Sequence, residues 1–146
     1  VKGAGQLNVL LNTVYDLNST QHSADYQAAA TQLLARQKRR ALVLLMTNLR
    51  DEDDEELLTA VKRLSKQHQV LVASLRENVL DTTRLLPVQT LSEALIYCGT
   101  VEYLNSRAKL HERLNAHGVT VVDMQPEELG PALVTRYLNW KKAGTI

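Results

Sequence analysis

Polar residues that could bind a metal ion follow the most apolar stretch of the chain. Thr47, Asn48 and Asp51 carry a hydroxyl, an amide and a carboxylate directly after the apolar run of residues 41–46. Oxygen groups of these kinds are the ligands that Mg²⁺ takes in proteins, directly or through water, and open parallel sheets bind ligands where their strands end. An ordinary strand-to-helix turn with Asx capping explains the same residues, and the sequence leaves both interpretations open.

The other chemistry-bearing residues lack the spacing that a familiar type of site requires. Gly3 and Gly5 precede a helix but follow no strand, and no Lys-Ser/Thr pair completes a nucleotide-binding loop. Cys98 falls on a predicted buried stripe, where a cysteine usually acts as a small apolar filler. No two histidines lie three or four residues apart, as helical zinc ligands would; they are His22, His68, His111 and His117.

The balance of charged residues bears on which kinds of partner the protein could bind. The 146 residues carry 17 Lys and Arg against 16 Asp and Glu, a net charge of +1, so no overall field favours nucleic acid or an anionic membrane. The basic residues Arg36, Lys38, Arg39 and Arg40 fit a helix end, and the acidic run of residues 51–56 fits a helix start, because the helix dipole favours those charges there. The chain is long enough for one domain, and no apolar run approaches a membrane span.

Apolar spacing predicts amphipathic helices over residues 6–17, 24–37 and 51–64, and a short helical or irregular stretch over residues 77–86. Thr90 and Glu93 have the spacing of a capping box, so a long helix begins there, and Gly118 fits its left-handed C-terminal cap. Pro126 and Pro131 suit first-turn positions of a final helix. The predicted buried sides include Leu7, Leu10, Leu11, Val14 and Leu17 in the first helix, Tyr26, Ala30, Leu33 and Leu34 in the second, Leu91, Leu95 and Cys98 in the long helix, and Leu133, Val134, Tyr137 and Leu138 in the last.

Three apolar runs, residues 41–46, 69–75 and 119–122, predict strands, and their alternation with helices predicts a parallel sheet with right-handed crossovers. The first run does not alternate, so we expect a central strand covered on both faces. No segment of this chain provides an evident neighbour on one of its sides. We therefore expect missing sequence or a second copy of the chain to pair with that open edge.

The ordered series of these segments resembles the C-terminal half of the bacterial domain-of-unknown-function 58 proteins. The resemblance spans nearly the whole chain and rests on residues 38–51, 70–76, 94–97, 110–114, 126–129 and 133–138. That family is similar to the von Willebrand factor A domain, a doubly wound sheet with a metal-ion-dependent adhesion site. The resemblance implies that residues 1–146 form a single, truncated domain of this type: an α/β, three-layer, Rossmann-like fold with about three parallel strands.

The resemblance also implies a degenerate metal site. The family's first ligand loop, Asp-x-Ser-x-Ser, does not occur in this sequence, and its Thr-Asp pair is matched by Thr47 and Asn48. The second-loop threonine would fall near Asp25. Because an amide replaces a carboxylate, the site loses a negative charge that a divalent cation needs, and we expect no metal or other cofactor.

The function expected from the resemblance is non-catalytic. Such proteins are typically membrane-anchored, and their genes commonly accompany MoxR-type AAA ATPases with suspected chaperone or assembly roles. We therefore expect a protein-binding or complex-assembly module that docks a partner through Thr47, Asn48, Arg50 and Asp51. The fragment would be soluble, and the full-length protein would be anchored in the inner membrane with this domain cytoplasmic. The alternative is a metal-dependent or nucleotide-using α/β enzyme with its site at residues 47–51.

Overall fold

The computed structural model of the chain describes residues 5–18, 23–49 and 54–144. Helices precede, separate and follow the strands, in the order α1 (Gly5–Tyr15), α2 (Tyr26–Arg36), β1 (Leu42–Thr47), α3 (Asp54–Ser65), β2 (Gln69–Leu75), α4 (Asn78–Leu85), α5 (Leu91–Ala116), β3 (Thr120–Met124) and α6 (Pro126–Lys142). The three strands form one parallel sheet in the order β1-β2-β3. The protein is therefore a three-layer α/β structure of Rossmann-like type, as the alternation predicts.

Helices cover both faces of the sheet and create two apolar cores. On one face, α2, α3 and α5 pack against inward residues of the strands, with Val61, Val72 and Leu114 fully buried. On the other face, α6 packs against Leu71, Ala73 and Val122. Both faces of β2 are covered, and its sequence is accordingly a nearly continuous apolar run, as expected for a central parallel strand.

The position of β1 corrects one prediction. Among the described residues β1 pairs only with β2, so it is not central within this sheet, and its other side is open, as expected from the lack of a neighbouring segment. Its α6-side residues Leu44 and Met46 are 42% and 55% exposed, because α6 lies over β2 and β3. The expectation that helices cover both faces of β1 is therefore wrong for these two side chains.

Helix α1 forms as predicted, but its predicted buried face is exposed. Leu7, Leu10 and Leu11 are each more than half exposed, and Val14 is 42% exposed. A helical period determines which side chains share one side of a helix. It does not determine whether another element lies against that side.

Helix α5 is longer than the sheet that it covers. Its 26 residues span about 39 Å at the rise of an α-helix, whereas the 7 residues of β2 span about 23 Å. All of its buried residues lie from Thr100 onward. The prediction that Leu91, Leu95 and Cys98 are buried is therefore wrong, since all three belong to the part that extends past the sheet.

The ends of α5 agree with the prediction, whereas the details of α6 do not. Thr90 and Glu93 form the complete capping box, and Gly118 has a φ of 75°, a conformation that glycine adopts without steric cost. Pro126 begins α6, but Pro131 lies inside the helix and not in its first turn. The buried side of α6 is formed by Leu129, with Ala132, Leu133 and Trp140 half-buried, whereas Val134, Tyr137 and Leu138 are exposed.

Candidate functional site

The last inward-facing residue of each strand is polar. In the sheet register Thr47 is paired with Ser74, and Ser74 is paired with Asp123. Two residues earlier the same register positions hold Leu45, Val72 and Val121, which pack into the core on the α5 side. Since side chains alternate along a strand, the three polar side chains continue that face to the carboxyl edge of the sheet. We call Thr47, Ser74 and Asp123 the polar row.

Helix α2 closes one end of the polar row. The Tyr26 hydroxyl and the Thr47 hydroxyl lie 2.8 Å apart and share a hydrogen bond. Tyr26 is buried because it begins α2 on the side that packs against the sheet. Asp25 precedes it as the N-cap, and its carboxylate accepts a hydrogen bond of 2.7 Å from the Ala28 amide.

Arg107 of α5 occupies the middle of the polar row and is only 3% exposed. Its Nη2 donates to Ser74 Oγ, to Asp123 Oδ1 at 2.7 Å and to the Leu75 carbonyl at 3.2 Å. Its Nη1 lies 3.3 Å from the Leu49 carbonyl, which also accepts a 3.2 Å hydrogen bond from Tyr103. The guanidinium therefore joins the carboxyl ends of all three strands to one helix.

A second arginine links the polar row to α4. Arg76 follows β2, and its Nη1 lies 3.9 Å from Asp123 Oδ2 while its Nε lies 3.3 Å from Asp81 Oδ2. Gln125 Nε2 also donates to Asp81, at 3.3 Å. Two arginines and two carboxylates thus alternate at this edge, and their formal charges balance.

His111 lies one turn beyond Arg107 on α5 and is half-buried. Burial lowers the pKa of His111; Asp123 opposes this shift, whereas Arg107 and Arg76 reinforce it. Its Nε2 is buried without a hydrogen-bond partner in the structure. The histidine is therefore held in its neutral form at neutral pH.

The structure separates the residues that the sequence singled out. Thr47 is half-buried and bonded to Tyr26, whereas Asn48 is exposed. Asp25 is exposed and acts as a helix cap. Arg50 and Asp51 lie outside the described residues, so their predicted role in partner binding stays a prediction.

Sequence reasoning missed Ser74, Asp123 and Arg107. The signal that could have found the first two is a polar residue at the last inward position of every strand. The signal for Arg107 is an arginine in helical register with Leu110 and Leu114, three and seven residues along one side of α5. Charged residues are almost never fully buried unless they are paired, so such an arginine indicates a buried acceptor.

The polar row is bonded to a cation that the chain itself supplies, Arg107. Its oxygen atoms would suit a hard cation, but the buried Arg107 guanidinium already supplies the positive charge that balances Asp123. In the part of the chain that the structure describes, no group of three or more His, Cys, Asp or Glu residues is arranged to hold a metal ion. What the arrangement does chemically is fix the angle of α5 against the sheet.

Over residues 5–18, 23–49 and 54–144, no helix is both long enough and apolar enough to cross a bilayer. Comparisons of the chain with protein-family models, with curated proteins and with solved structures gave no match.

Proposed function

We propose that this protein is a non-catalytic docking or complex-assembly module of the von Willebrand factor A-like type, acting with a MoxR-type AAA ATPase. The observation that supports this most directly is the buried Arg107. It bonds the polar row internally at the edge where open parallel sheets usually bind their ligands. The polar side chains of that edge thus stabilise the fold, and partner recognition falls to the exposed residues around it.

Asn48 is the exposed residue through which the proposal is tested. It follows β1 directly at the carboxyl edge, where a partner can reach it. An Asn48→Lys variant of the full-length protein should lose capture of the ATPase in its native host, since a long charged side chain disrupts a closely packed contact. Gln32→Lys, an equally charged change at an exposed position of α2, should leave capture intact.

Two outcomes would contradict this proposal. Repeated purification of the full-length protein without any such ATPase would remove its support, as would capture that Asn48→Lys leaves unchanged. Saturable magnesium binding by calorimetry, lost on Thr47→Val, would favour the metal-dependent enzyme instead.

The open side of β1 supports a related proposal, self-association of the chain through that edge. Within the described ranges β1 pairs only with β2, and Leu44 and Met46 are exposed beside that edge. An unpaired strand edge is a template for another strand. Light scattering over a concentration series should show association that Leu44→Lys weakens, and a monomer at every concentration would contradict it.

A further inference from the structure

Helix α4, the following loop and the first nine residues of α5 extend past the carboxyl edge of the sheet. We call residues 78–99 the helical projection. At its base, Asp81 contacts Arg76 and Gln125, and Asn78 also accepts a hydrogen bond from Gln125. None of the residues of α4 is buried, and in α5 burial begins at Thr100. The projection therefore contributes little to the two cores of the domain.

A cavity of about 440 Å³ opens between α4 and α5 in this projection. That volume lies in the range of sites that hold a ligand or several side chains. Several of its apolar side chains stay exposed, since Leu86 is 59% exposed, Val88 48% and Ile96 58%. Its walls are formed by the end of α4, the loop that follows it and the first turns of α5.

Glu93 is the one charged residue in this apolar lining. Its Oε2 accepts hydrogen bonds of 2.8 Å from the Gln89 and Thr90 amides. These backbone hydrogen bonds lower the pKa of Glu93, so the carboxylate stays ionised and is held in place by the start of α5. The cavity thus combines exposed apolar walls with one fixed negative charge.

We infer that this cavity binds a segment of a partner protein in which apolar side chains flank a lysine or arginine. The apolar side chains would cover Leu86, Val88 and Ile96, and the cation would pair with Glu93. The charge complementarity selects a basic segment over an acidic or neutral one. The inference rests on the proposed docking function, but it concerns a surface separate from Asn48 and does not depend on the ATPase.

The test uses synthetic amphipathic peptides of about 18 residues, long enough to form a helix on binding. One peptide combines leucine with lysine, and its matched partner combines leucine with glutamate. Fluorescence anisotropy should show that the basic peptide binds at least about tenfold more tightly than the acidic one. Added salt should reduce that difference, since it screens exposed charges.

Variants of this chain separate charge from apolar contact. Glu93→Gln removes the charge but keeps the capping box, which accepts either residue, and should weaken binding of the basic peptide about fivefold. Ile96→Ser should weaken it about tenfold, since it removes an apolar contact of about 1.4 kcal/mol. Circular dichroism should show that both variants keep the helical content of the parent.

Matched controls lie on the same helix. Glu102 and Leu95 are exposed, and Glu102 follows Glu93 by nine residues, which places it on the opposite side of α5 at about 100° per residue. Glu102→Gln and Leu95→Ser should therefore leave binding within about twofold. Equal loss in these controls would overturn the inference.

Three further results would also overturn it. These are equal binding of the acidic and basic peptides, no binding of the basic peptide at about 1 mM, and a dimer of the chain alone that Ile96→Ser dissociates. The last result would show that a second copy occupies the cavity. No arm of this test uses the ATPase. If the peptides fail to bind as expected, the proposed ATPase partner is still tested separately by the capture experiment with Asn48→Lys.

Discussion

In α5, residues 91–99 and residues 100–116 belong to one continuous helix, yet only the second part packs against the sheet. The first part is the more apolar of the two, but Leu91, Leu95 and Ile96 are each more than half exposed. The second part buries a charged residue, Arg107, next to Leu110 and Leu114. Burial in this helix therefore follows the position of the sheet and not the polarity of the residue. The difference also shows which part of the helix leaves its apolar side chains exposed.

The largest loss of stability is expected at Arg107, the charged residue that the second part of α5 buries. Arg107→Met should lower the free energy of unfolding by about 3 to 4 kcal/mol, because it leaves buried acceptors and Asp123 without their main partner. The control is Arg113→Met, since Arg113 pairs with Glu55 on the surface, where ion pairs contribute about 1 kcal/mol or less. Urea denaturation measures both. Equal losses would show that Arg107 does not hold the helix on the sheet.

One substitution made in each part of α5 tests the comparison directly. Leu114→Ala should cost about 3 kcal/mol, since Leu114 is 0% exposed and its loss leaves a cavity. Leu95→Ala should cost less than about 0.5 kcal/mol, since Leu95 is 66% exposed and alanine favours a helix. Thermal or urea unfolding measures both changes in stability. A similar loss at the two positions would mean that residues 91–99 pack as closely as residues 100–116 do.

Loss of the capping box should destabilise mainly the helical projection. Thr90→Ala removes the hydrogen bond from the Glu93 amide and should cost about 1 kcal/mol of helix stability. Because the first turn of α5 lies outside the cores, the change should appear as faster hydrogen exchange of residues 93–97. Faster exchange throughout residues 107–114 would show that both parts of α5 unfold together.

Acidification should lower the stability of the protein through His111, which lies in the part of α5 that packs against the sheet. Burial lowers the pKa of His111 in the folded protein, whereas in the unfolded chain it lies near 6.5. The unfolded state therefore binds the proton more readily, so stability falls as pH drops below about 6.5 and levels off below the folded pKa. His111→Gln should reduce this dependence in urea titrations at several pH values. An unchanged pH profile would show that other groups cause it.

The order of elements, the parallel sheet and the capping box of α5 could be predicted from the sequence. Each of these features depends on residues close together in the chain: an apolar run, a helical period, or a cap three residues from its partner. The inner side of α2, with Tyr26 and Ala30 buried, was also predictable. Strand limits differ from the predictions by one or two residues, which is the usual uncertainty of element ends.

The position of the candidate site could be predicted from the sequence, but most of its residues could not. The carboxyl edge follows from parallel topology, and Thr47 lies there as expected. Ser74, Asp123 and Arg107 were missed because Ser74 and Asp123 lie 33 and 16 residues from Arg107 along the chain. Only the strand register and the angle of α5 bring them together.

By itself, the sequence determined the local elements and the alternation that makes the fold α/β, since hydrophobic period and capping act over a few residues. Tertiary structure alone decided which apolar sides are covered. It left Leu44, Leu95 and the stripe of α1 exposed and buried Arg107, because coverage depends on the relative lengths and positions of packed elements. A period along one helix carries no information about what lies opposite it.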